Sequence, residues 1–132
     1  EVANVTVKAL GLNCGTYDGR AMALDRNDEV FLEYIDCVDK IPDDALVERV
    51  DALKYMNSHY PPSHIVSTKC DFLLPCAQPM YDFLTKMGVP CEIEIYGDID
   101  RPEIGHDFHV DSRLYEAKIS NDKQCEFFKR FV

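Results

Sequence analysis

Three short apolar runs, residues 5–12, 64–68 and 91–96, alternate with segments patterned as helices, and that alternation constrains the fold more than any other feature. A strand that is followed by a helix and then a second strand returns by a right-handed crossover, which makes the strands parallel. The expected fold class is therefore α/β: a three-stranded parallel sheet with flanking helices. The first run opens with Val5, Thr6 and Val7 and continues through Ala9, Leu10 and Leu12, as suits a strand covered on both faces. Asn13, Gly15 and Gly19 then break it.

The helical segments are read from apolar spacing and from their ends. Phe31, Tyr34, Ile35 and Val38 recur at three-four spacing over residues 28–38. Pro42, Asp43 and Asp44 suit a helix N-terminus, and Leu46, Val50 and Leu53 form the stripe that follows. Residues 79–87 place Met80, Phe83, Leu84 and Met87 on one side, with Gly88 as the stop. Residues 114–131 read as a last helix, its stripe running through Ala117, Asn121, Cys125, Phe128 and Phe131. The whole, residues 1–132, reads as a single segment in which residues 18–60 are a helical crossover that contributes to a cap.

Charge and cysteine usage narrow the function. A net charge of −10 argues against nucleic acid and anionic membrane as partners. No apolar run approaches the length of a membrane span, and the first four residues lack the basic start and apolar middle of a signal peptide. Cysteines stand at 14, 37, 70, 76, 91 and 125 without a Cys-x-x-Cys, and Cys14, Cys70 and Cys91 border the strands. Reduced thiols and a cytoplasmic location are the expectation.

Asp71 follows the second strand and His106 the third, 35 residues later. An acid and then a histidine, each leaving a parallel strand, match the second half of the Ser…Asp…His order of hydrolases. Sites in such sheets form at the carboxyl ends of strands, so Asn13, Asp71 and His106 are expected on one rim. Strands about 4.8 Å apart would let the carboxylate hold one imidazole nitrogen and leave the other free for a serine proton. From the residues alone, a turn former or helix cap is the commoner reading of Asp71, and a solvated loop histidine the commoner reading of His106. No Gly-x-Ser-x-Gly occurs, and Ser58, Ser63, Ser67, Ser112 and Ser120 all read as structural.

The loop over residues 97–111 holds Asp98, Asp100, Glu103, His106, Asp107, His109 and Asp111. It lacks the rhythm of a calcium loop and has no His-Glu-x-x-His, so no metal and no cofactor is expected.

Residues 61–73, a proline-led strand ending in Cys70-Asp71-Phe72-Leu73, resemble the acid-bearing segment of α/β-hydrolase esterases and lipases of the hormone-sensitive-lipase-like type. Residues 81–90, ending Gly88-Val89-Pro90, resemble the helix and link that come next. Gly105-His106-Asp107-Phe108 resembles the histidine loop, with Asp107 where that family has glycine. Residues 8–15 and 116–128 resemble the strand after the nucleophile helix and the closing helix. The resemblance implies the C-terminal portion of an α/β-hydrolase fold, with Asp71 as triad acid and His106 as triad base. His109 is the alternative base. It further implies a small-molecule ester as substrate, a nucleophile and oxyanion loop upstream of these residues, and a cap to which Phe31, Leu32, Tyr34 and Ile35 contribute.

Two functions follow as expectations. One is the C-terminal part of a serine carboxylic-ester hydrolase, inactive alone for want of the serine. The other is a non-catalytic remnant serving as a binding or assembly module. In either case the first strand, bare at its outer edge, is expected to pair with the missing N-terminal half or with a second copy in a homo-oligomer.

Overall fold

The computed structural model describes residues 6–18, 48 and 51–132. Three parallel strands form one sheet: β1 (Leu10–Asn13), β2 (Ser63–Thr68) and β3 (Cys91–Tyr96), in the order β1-β2-β3. Two helices flank it, α1 (Leu74–Lys86) and α2 (Tyr115–Lys129), with short 3-10 turns at Ala52–Lys54 and Phe108–Val110. The expected α/β architecture is present. The helix expected over residues 28–38, with the cap residues Phe31, Leu32, Tyr34 and Ile35, lies outside the described residues, as does most of the one expected from residue 42. Of the latter's far end, Asp51 is extended and Ala52–Lys54 form only a 3-10 turn, so the helix does not run on through Leu53.

β2 is the centre, and all six of its residues are buried. Side chains alternate across a strand, and the core divides accordingly. Ile65 joins Cys76, Ala77, Met80, Leu84 and Val89 on the face covered by α1. Val66 joins Cys14, Ile104, Phe108 and Ala117 on the face covered by α2. A helix on each face is what a parallel sheet requires, since both of its surfaces are apolar.

β1 is shorter than its apolar run suggests. Pairing begins at Leu10, opposite Ser63, where β2 itself begins. Thr6 to Ala9 run on past the end of the partner and find no ladder there. Helix α1 starts five residues earlier than its stripe predicts. Pro75 sits in the first turn, where the missing N–H costs nothing, and Pro79 is tolerated inside the helix. The buried row Cys76, Ala77, Met80 and Leu84 outweighs that lost bond. Gly88, at φ 76, ends the helix in the left-handed conformation that favours glycine.

α2 shows the other departure. Its buried row is Ala117, Ser120 and Phe127, while Asn121 and Cys125 are exposed. Repeated four-residue steps drift around a helix of 3.6 residues per turn. Alternating three- and four-residue steps, 117, 120, 124 and 127, stay on one face. Among the described residues, no helix is long and apolar enough to cross a membrane.

Candidate active site

Asp71 lies three residues past the end of β2, in a turn closed by its own N–H donating to the Thr68 carbonyl at 3.2 Å. The Leu74 N–H in turn donates to the Asp71 carbonyl at 3.0 Å and leads into α1. His106 stands on a loop that touches the same region through a parallel bridge between Cys70 and Gly105. That bridge extends the pairing of β2 and β3 beyond the strands, and it brings the two side chains together. His106 Nδ1 is 2.9 Å from Asp71 Oδ1.

The Asp71 side chain is fully buried, and an isolated buried carboxylate would protonate. Burial is the largest influence and works against ionisation. Four donors overcome it: the Leu73 N–H, His106, the Cys14 thiol and the Ser67 hydroxyl, which together hold the carboxyl below its usual range. The Leu73 N–H reaches Oδ1 at 2.9 Å and Ser67 Oγ reaches Oδ2 at 2.9 Å. An ionised carboxylate only accepts. The proton between the two residues therefore sits on His106 Nδ1, and Nε2 is the ring nitrogen left for other partners.

The imidazole is about one-third exposed, with 35% of its side chain open to solvent. Phe72 packs against it with ring centroids 4.6 Å apart. Asp107 Oδ2 lies 3.5 Å from Nε2. Asp107 adopts a left-handed backbone, φ 58, which turns the chain so that Phe108 enters the core against Tyr96.

Asn13, expected on this rim, serves α2 instead. Its amide exchanges hydrogen bonds with Gln124, at 3.3 Å through Nδ2 and 2.8 Å through Oδ1. Its neighbour Cys14 takes the place beside Asp71. Burial chiefly pushes the Cys14 thiol up to about 12, against a backbone hydrogen bond from Asp107 and with the Asp71 carboxylate adding to the rise. His109 does not meet Asp71; its ring stands edge-on to Phe108 at 6.1 Å. Cys14 and Ser67 are the two site residues that the sequence did not single out. Ser67 had a signal, lying four residues before the acid with a single turn between them. Cys14 had none, because its place depends on the register of β1.

No protein-family model and no curated protein sequence matches the chain. Solved structures do. An inhibited form of esterase B from Lactobacillus rhamnosis superposes with a TM-score of 0.75 at 16% identity, over 97% of this chain and 42% of that one. An esterase named E25 gives 0.72 at 20% identity, over 95% and 40%. A thermophilic esterase from the Planctomycetes species Thermogutta terrifontis gives 0.62 at 14%, over 98% and 47%. The three strands and two helices are thus part of an α/β-hydrolase fold, and the chain spans 40–47% of the length of these esterases.

Proposed function

We propose that this chain is the C-terminal part of a serine carboxylic-ester hydrolase, and that Asp71 and His106 are its acid and base. The single observation behind this is the 2.9 Å contact between His106 Nδ1 and a buried, multiply hydrogen-bonded Asp71 at the strand ends. Fold likeness to esterases supports the ester as substrate class.

Chemically, Asp71 fixes the tautomer and steadies the imidazolium that forms when Nε2 takes a proton from an attacking hydroxyl. The same nitrogen then protonates the leaving alcohol. The Asp107 carboxylate, 54% exposed, has room to swing away from Nε2 as the hydroxyl approaches. In this reading the five serines are structural and none is that hydroxyl. Ser67 is committed to the acid, and no serine hydrogen-bonds to His106. The nucleophile and the oxyanion donors come from outside these 132 residues, and the chain alone has no covalent step to offer.

The test is hydrolysis of a short-chain nitrophenyl ester. The purified chain is expected to show only background. The natural full-length protein is expected to be active and to lose at least about a thousandfold in kcat on His106→Ala. A full-length protein that is active and indifferent to that change removes His106 from the chemistry. An inactive full-length protein favours the assembly-module function.

A further inference from the structure

We propose that Cys14, Asp107 and His109 form a binding site for a zinc-class divalent cation, set beside the Asp71–His106 pair. A sulfur, a carboxylate oxygen and a ring nitrogen of these residues lie within 4.8 Å of one another. They come from the end of β1 and from the turn after Gly105, so no spacing in the sequence announces them. The loop over residues 97–111 has no complete ligand set by itself, and β1 completes it. Tetrahedral zinc, with bonds of about 2.0–2.3 Å to nitrogen and sulfur, needs donor–donor edges of about 3.5 Å. The Asp107 side chain, 54% exposed, is free to move toward the other two donors. A thiolate and an imidazole favour zinc over calcium or magnesium, which prefer oxygen alone.

Two further observations point the same way. Among the described residues, the only non-glycine residues with a left-handed backbone are Cys14, at φ 46, and Asp107, at φ 58. Both are donors in this cluster, and such backbone strain gathers at ligand clamps. In addition, His109 Nδ1 is buried and has no hydrogen-bond partner. A buried ring nitrogen of that kind calls for an explanation, and histidine bound to a metal uses its ring nitrogens as ligand and second-sphere donor. The backbone carrying His109 is held by Asn121, whose Nδ2 donates to the His109 carbonyl at 2.9 Å.

The second grouping around Cys14, with Asp71 and His106, shares the same sulfur. Asp71 there is already engaged by four donors, which leaves it the poorer ligand. Binding at the preferred site displaces the thiol proton to solvent as the sulfur–metal bond forms. The Cys14 hydrogen bond to Asp71 is given up in the exchange, so an ion at this site changes the surroundings of the acid. Cation binding does not depend on whether the chain takes part in ester hydrolysis.

The experiment titrates zinc chloride and cobalt chloride into the purified chain, by calorimetry in two buffers and by near-ultraviolet absorption. One ion per chain is expected, with proton release and a thiolate-to-cobalt charge-transfer band. Cys14→Ser abolishes the band. His109→Gln and Asp107→Asn each weaken binding by about tenfold or more, and His106→Gln leaves it within about twofold. Circular dichroism checks the fold of each variant. If Cys14→Ser does not fold, the more exposed His109→Gln and Asp107→Asn decide the matter. Absence of the band, binding unchanged in both of those variants, or loss in His106→Gln instead overturns the proposal.

Discussion

Replacing Asp71 with asparagine tests the physical centre of the site without changing its shape. The wild-type carboxylate accepts from the Leu73 N–H, His106, Ser67 and Cys14 while fully buried. An amide keeps one accepting oxygen and turns its N–H donors toward Ser67 and Cys14, which now donate and would have to reverse and accept, the thiol only weakly. Hydrogen bonds to a charged partner contribute about 1.5–3 kcal/mol, neutral ones about half that. Loss of the charge and mispairing on one side of the group therefore cost about 2–4 kcal/mol. At about 2.1 cal/mol/K per residue, the 132 residues make each kcal/mol worth about 3.6 °C. Asp71→Asn is expected to melt about 7–14 °C lower at pH 7.

The pH dependence sharpens the test. The folded-state pKa of Asp71 lies below its unfolded value, so its contribution is complete above the unfolded pKa and is lost as the pH falls toward the folded one. Wild type and variant should thus differ fully at neutral pH and converge below about pH 4. Thermal or urea unfolding followed by circular dichroism from pH 7 to 3 measures both effects. A variant as stable as wild type at pH 7, or a gap that does not narrow on acidification, refutes the account of Asp71 as a stabilised buried anion.

Two further outcomes concern the scaffold. Met80 is wholly buried at the centre of the cluster under α1, so Met80→Ala is expected to cost about 2–5 kcal/mol in urea unfolding; a loss under about 1 kcal/mol would mean that this face of the sheet is not packed as described. β1 has one hydrogen-bonded neighbour, β2, among the described residues, and an open apolar edge promotes pairing between chains. Light scattering of the purified chain at tens of micromolar is expected to give a dimer or larger species, and a monomer mass counts against edge pairing through β1.

Much of this arrangement was legible in the residues. β3 occupies the whole apolar run 91–96, and β2 begins only one residue before its own. Both are bounded by prolines and turn formers, which act locally. The misjudged elements are those whose limits a neighbour sets. β1 begins only where β2 begins, although the apolar run that contains it opens earlier, with Val7 and Ala9. The face of α2 was misjudged because Phe127 and Phe128, like Ser120 and Asn121, are adjacent and differ only in which one meets the sheet.

The same division holds at the site. The sequence alone determined that an acid and a histidine would each leave a parallel strand, because strand periodicity and turn chemistry are properties of neighbouring residues. Only the tertiary structure decided that His106 and not His109 reaches Asp71, that Cys14 and not Asn13 stands beside it, and that four donors keep the buried carboxylate ionised. Those contacts join residues far apart in the chain. They are fixed by strand order, register and the left-handed turns at Cys14 and Asp107, which no local pattern encodes.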